Sequence, residues 1–114
     1  MTEIRTMTRF TGVDPGDADA FRSVVAEAAQ RVANEPGTVG YAWFESSDGT
    51  EFVAQESFVD SDAVLAHAAN VGDLVGQWVG LADGVDVEIF GAPSDELRSA
   101  LSAMGPGIYS PVST

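Results

Sequence analysis

Residues Glu35–Ser46 read "EPGTVGYAWFES", and the nature of this stretch decides the fold. Pro36 and Gly37 stop the preceding element, and the β-branched and aromatic residues that follow read as a strand. Val39, Tyr41 and Trp43 then point one way, Ala42 and Phe44 the other. Both faces are therefore apolar, whereas a strand with one solvated face alternates apolar with polar. Each face needs a cover, and one layer of helices supplies only one.

The segments on either side supply the rest of the pattern. "EIRTMTRFTG" alternates, with Ile4, Thr6, Thr8 and Phe10 on one side and Arg5, Met7 and Arg9 on the other. In "VDPGDADAFRSVVAEAAQRVANEPG" the period changes: Phe21, Val24, Val25, Ala28 and Val32 recur at helical spacing, after a start that Asp14 or Asp17 can cap. Beyond the quoted strand, "SSDGTE" carries an Asp-Gly turn and "EFVAQESFV" resumes alternation, which predicts a hairpin of Val39–Glu45 with Glu51–Phe58.

"DSDAVLAHAAN" predicts a second helix capped by Asp60 or Ser61. "VGDLVGQWVGLADG" reads as a further helical piece after a break at Gly72, with Leu74, Val75, Trp78 and Val79 inward. "VDVEIFG" is a fourth strand. Ser94 caps a short helix with Leu97, Leu101 and Met104, and "GPGIYSPVST" is irregular or a short terminal strand.

Strand, helix, strand, strand, helix, strand is the split βαβ order of a ferredoxin-like α+β fold: four antiparallel strands with two helices on one face, here with an extra C-terminal helix. Nothing marks a second domain, so residues 1–114 are expected to form one. The open face would carry Met7, Val53, Ala42, Phe44 and Phe90. A second copy packed sheet to sheet would cover it, which predicts a homodimer.

Composition narrows the function classes. Eighteen acidic residues face five basic ones, all arginine, for a net charge of −13. This balance argues against nucleic acid and against anionic membrane surfaces. The chain has no cysteine, which removes disulfides, thiolate metal sites and cysteine nucleophiles. One histidine cannot build the common zinc sets, and no acidic run matches a calcium loop. No phosphate-binding glycine motif or serine nucleophile elbow occurs. With neither a signal-peptide pattern at the start nor a run of roughly 20 apolar residues, the expected location is the cytoplasm.

"EPGTVGYAWF", "VAQESFVDSDAVLAHAANVG" and "VDVEIFGAPSDELRSAL" together resemble the antibiotic biosynthesis monooxygenase family, over roughly Ile4 to Leu101. The resemblance implies a small dimeric α+β barrel that oxidises a hydroquinone, anthrone or related phenolic compound with dioxygen and uses no cofactor or metal. The same fold hosts haem-degrading enzymes, an isomerase of a signalling molecule and proteins without known activity. Haem-degrading relatives use an Asn on the first strand where this chain has Thr6, Met7 and Thr8, which disfavours that branch. From a different class, a non-catalytic dimer that binds a small apolar or aromatic ligand would show the same features.

In that frame His67 is the candidate catalytic base, since an ordinary imidazole titrates at about 6.5 and suits removal of a phenolic proton. The plainer reading is a boundary histidine hydrogen-bonded to a neighbour. Tyr41, Trp43 and Trp78 are candidate substrate-binding residues, as aromatic walls or as plain core. Asn70 is the fourth, on the same rim unless it caps the helix before Gly72. Glu56 shares the face of Phe52, Ala54 and Phe58. An ion pair with Arg5 or Arg9 is its expected partner, with a carboxylate base as the alternative. Glu88 has no clear place.

Overall fold

The structure is a computed structural model that describes residues 2–114. It has the element order β1 (Ile4–Thr11), α1 (Ala18–Val32), β2 (Thr38–Glu45), β3 (Phe52–Phe58), α2 (Ser61–Leu81), β4 (Gly84–Phe90), α3 (Asp95–Leu101) and β5 (Gly107–Tyr109), with one-turn 3-10 helices before α1 and after α3. The strands lie in the order β2-β3-β1-β4-β5, so β1 is central as the ferredoxin-like pattern requires.

The sheet departs from the expected four antiparallel strands. It has five strands and is mixed, because β5 pairs parallel with β4, Ile89 opposite Ile108. Gly105 makes this reversal: its φ of 57° lies in the left-handed region that glycine enters without strain. The three-residue strand then reaches the β4 edge, and Tyr109 stacks on Phe90 at 5.2 Å.

The helices cover one face. Phe21, Val24, Ala28 and Val32 of α1 are buried, with Phe10 and Phe52 from the sheet and Val71, Leu74 and Trp78 from α2. A second cluster joins Ile4, Phe58, Val64, Val87, Ile89 and Leu97. Helix α2 is one continuous helix of 21 residues, without the expected break at Gly72. Glycine lowers helix propensity by about 1 kcal/mol, and burial of Val71, Leu74 and Trp78 around it outweighs that cost. Val79, expected inward, is 45% exposed.

Two strand expectations also change. The β2–β3 register shifts between Thr38 and Gly40, so Val39 is an extra residue at a bulge. It leaves the Tyr41–Trp43 face and stands 62% exposed. The ion pair of Glu56 with Arg5 or Arg9 does not form. Thr6 is the register partner of Glu56, so Glu56 takes the helix-side face of Thr6 while both arginines project from the other. Arg5 meets Glu3 and Arg9 meets the Met7 sulfur.

Candidate active site

A cavity of about 230 Å³ lies between the sheet and α2, where the two core clusters meet. On α2, His67, Val71, Gly72, Val75 and Trp78 line it; their spacing keeps them on one helical face. Asp60 fixes the start of this helix by accepting the Ala63 N–H at 2.8 Å. From the sheet come Thr6, Thr8, Tyr41, Trp43 and Glu56, and Met104 and Leu101 close one end.

Tyr41 and Trp43 stand two apart on β2 and share the cavity face. The Trp43 indole N–H donates to the Tyr41 hydroxyl at 2.8 Å. The Tyr41 hydroxyl is therefore an acceptor already engaged, and its own hydrogen has no acceptor among the described residues. Burial pushes its titration up to about 12, against a smaller opposing effect of the Trp43 bond and with the help of nearby Glu56 and Glu35. It stays a neutral donor. Trp78 packs on Trp43 at 4.7 Å, and its buried indole N–H has no partner among the described residues. A buried donor left unpaired costs about 1–3 kcal/mol, which a ligand oxygen would relieve.

Among the described residues, His67 and Glu56 are the acidic and basic side chains of the cavity wall. His67 Nε2 lies 2.7 Å from Glu56 Oε2, and Thr6 Oγ1 donates to the other Glu56 oxygen at 3.2 Å. On the far side of the ring, His67 Nδ1 lies 2.8 Å from Glu35 Oε1. All three side chains are nearly buried, at 12% exposure for His67, 10% for Glu35 and 8% for Glu56. Burial works to lower the imidazole, but Glu56 and then Glu35 outweigh it and raise His67 above its ordinary value. Burial likewise works to raise Glu35, yet hydrogen bonds from Thr38, Asn70 and His67 hold it below the usual carboxylate range. Each ring nitrogen faces a carboxylate oxygen, an arrangement that favours the protonated ring.

Glu35 reaches His67 because the Pro36-Gly37 turn packs tightly on α2. A Cβ on Gly37 would come within 2.6 Å of the Ala63 Cβ, so only glycine fits there without a shift. Thr38 Oγ1 donates to Glu35 at 2.6 Å and Asn70 Nδ2 at 2.7 Å.

Four of the five sequence-derived site residues thus come together around one cavity: His67, Tyr41, Trp43 and Trp78. Asn70 does not. It is an exposed residue in mid-helix, outside the cavity, and it holds Glu35 from behind. The sequence marks Glu35 only as part of a turn, and no local pattern ties it to a histidine 32 positions away. Glu56 carried one usable signal: a carboxylate on the buried face of an alternating strand needs a partner from the layer above it. Among the described residues, no group of three His, Cys, Asp or Glu side chains is arranged to hold a metal ion.

Comparison with known proteins gives one family. The family model described as "Antibiotic biosynthesis monooxygenase" matches residues 4–72. No curated protein matches the chain by sequence. Among solved structures, MupZ from Pseudomonas fluorescens superposes with a TM-score of 0.88 at 23% identity, over 100% of this chain and 93% of MupZ. At that identity the likeness is one of fold. Rv0793 from Mycobacterium tuberculosis is 25% identical with a TM-score of 0.70, over 82% of this chain and 97% of the other. SnoaB, a cofactor-independent oxygenase from Streptomyces nogalater, is also 25% identical with a TM-score of 0.68, over 82% and 96%.

Proposed function

The chain belongs to the antibiotic biosynthesis monooxygenase family, and from that premise we propose that it oxidises a small, uncharged hydroquinone, anthrone or related phenol with dioxygen, without a bound cofactor. The observation that supports this reading best is a cavity walled by Tyr41, Trp43 and Trp78 in which, among the described residues, Glu56 and His67 are the acidic and basic pair. Flat aromatic walls suit a flat ring. Among the described residues no arginine lines the cavity, so a substrate carboxylate or phosphate would find no counter-charge other than His67.

In this reading the base is the pair rather than His67 alone, since both imidazole nitrogens are engaged. Glu56 takes the proton of a phenolic or enolic hydroxyl, and the His67 imidazolium faces the anion that results. The anion gives one electron to dioxygen. Superoxide and the substrate radical then combine at a hydrogen-bearing ring carbon ortho or para to the ionised oxygen, forming a C–O bond. Glu56 returns its proton to the peroxide, the O–O bond breaks with loss of the hydrogen on that carbon, and a carbonyl and water result. Tyr41 and Trp78 supply hydrogen bonds to substrate oxygens and fix the ring.

A second copy of the chain completes the proposal. On the helix-free face Phe44 is 53% exposed and Tyr109 49%, beside part-buried Met7, Val53 and Phe90. Sheet-to-sheet packing would cover them.

The test is oxygen uptake by metal-free, flavin-free protein with a panel of one- to three-ring hydroquinones, naphthols and anthrones. Uptake that survives chelators is the expected result. Tight binding without uptake across the panel would replace the oxygenase with a ligand-binding dimer.

A further inference from the structure

Glu56, His67 and Glu35 form one hydrogen-bonded row that begins in one cavity and ends in another. Glu56 lines the inner cavity. Glu35 instead lines a second cleft of about 550 Å³, with Arg31, Thr38, Asp60, Asp62 and Asn70. His67 alone joins the two, 2.7 Å from Glu56 and 2.8 Å from Glu35.

We propose that Glu35 is the solvent-side proton port of the inner site: it positions His67 and passes the Nδ1 proton to and from water in the outer cleft. The proposal rests on reading the inner cavity as the place where a substrate proton is taken.

The transfer balances as a single proton movement. The Nδ1–H bond of the imidazolium breaks and an O–H bond forms on Glu35. The ring becomes a neutral imidazole that still donates through Nε2 to Glu56. Glu35 then gives the proton to cleft water and is a carboxylate again, and the reverse sequence reloads the ring. No electron moves. Inside the cavity Tyr41 cannot substitute, since its hydroxyl titrates only at about 12, and the Thr6 hydroxyl is committed to Glu56.

The surroundings leave Glu35 to this role. His67 is faced by Glu35 from the turn after α1, by Glu56 from β3 and by the Tyr41 ring of β2 at 5.9 Å. Around Glu35, Thr38 and Asn70 donate to its oxygens. Arg31 is held by Asp73 at 2.6 Å and by the Asn70 carbonyl, so its guanidinium does not take the carboxylate. Asp60 is occupied in capping α2, and Asp62 lies on the cleft wall. Among the described residues, His67 is the basic side chain paired with Glu35.

Because the chain has a single histidine, ring NMR signals report this position alone. Two quantities decide the proposal in the wild type, Glu35→Gln and Glu35→Asp: the titration midpoint of the ring, and the exchange of Nδ1–H with water below that midpoint. Removing a carboxylate at this distance should lower the midpoint by about one pH unit or more. Without a group that accepts and releases the proton, exchange should slow by roughly tenfold or more, despite the more acidic ring. Glu35→Asp should recover the midpoint in part and give intermediate exchange. An unchanged midpoint, or exchange as fast in Glu35→Gln as in the wild type, overturns the proposal. If Glu35→Gln does not fold, Glu35→Asp decides, because the shorter carboxylate withdraws from Nδ1 and unchanged exchange then overturns it. Neither readout involves a substrate, so an absent oxygenase activity and an absent port are seen separately.

Discussion

His67 and Glu56 face each other at 2.7 Å from α2 and β3, each nearly buried, with Glu35 completing the imidazole from the opposite side. A lone histidine in an apolar pocket would shed its proton; two carboxylates reverse that preference. The two carboxylates favour the protonated ring, and Glu56 and His67 both meet the cavity. Pairing also explains how two buried carboxylates are tolerated, since each keeps a charged donor.

Glu56→Gln therefore separates the base from the ring. The amide can still accept from Nε2, so the fold should persist by circular dichroism. Oxygen uptake with the best phenolic substrate should fall about 10²–10⁴-fold in kcat/KM. His67→Ala should fall at least as far, because it removes the imidazolium as well. Full turnover in Glu56→Gln would take Glu56 out of the chemistry.

The row should also set a pH window for stability. His67 is raised above 6.5, so its contribution is complete below about that pH and is lost as pH rises through the folded value. Glu35 is lowered below 4.5, so its contribution is complete above about that pH and is lost as pH falls through the folded value. Both are complete only between the two. The difference in urea midpoint between wild type and His67→Ala should be largest in this mildly acid window and shrink toward alkaline pH. A difference that grows from neutral to alkaline pH would mean that the ring is neutral in the native state.

Much of the fold was legible because its periods are clean. The alternation of Ile4 to Phe10 and the stripe from Phe21 to Val32 survive unchanged. What failed was what no period encodes. A one-residue bulge at Val39 leaves no mark in composition. Gly72 looked like a break, but tertiary packing decides whether a glycine interrupts a helix. The three-residue β5 is too short to carry a pattern. At the site, the aromatic wall was visible as Tyr41 and Trp43 two apart, whereas Glu35 meets His67 only through folding. The false Arg–Glu56 pair came from adjacency of strands without their register.

Phe44→Asp tests the proposed cover of the helix-free sheet face. It is exposed on β2, away from the cavity, so the monomer fold should tolerate the change. Sedimentation at micromolar concentration should show a dimer for the wild type and a shift toward monomer for the variant. A wild-type monomer would leave the helix-free face without its proposed cover.

Gly72 offers an independent probe of the cavity. It sits in mid-α2 and lines the cavity, and a Cβ added there meets nothing within 4 Å. Its backbone is ordinary helix, without the positive φ that would favour glycine. Gly72→Ala should therefore stabilise the protein by about 1 kcal/mol in urea unfolding, through helix propensity alone. Gly72→Leu should keep most of that gain, because its side chain enters empty space instead of displacing packed atoms. Gly72 is exposed at the cavity wall, so the leucine narrows access to the cavity, and ligand binding and any oxygen uptake should fall together. A Leu variant that is stable and still turns over the phenolic panel would put the reaction somewhere other than beneath α2.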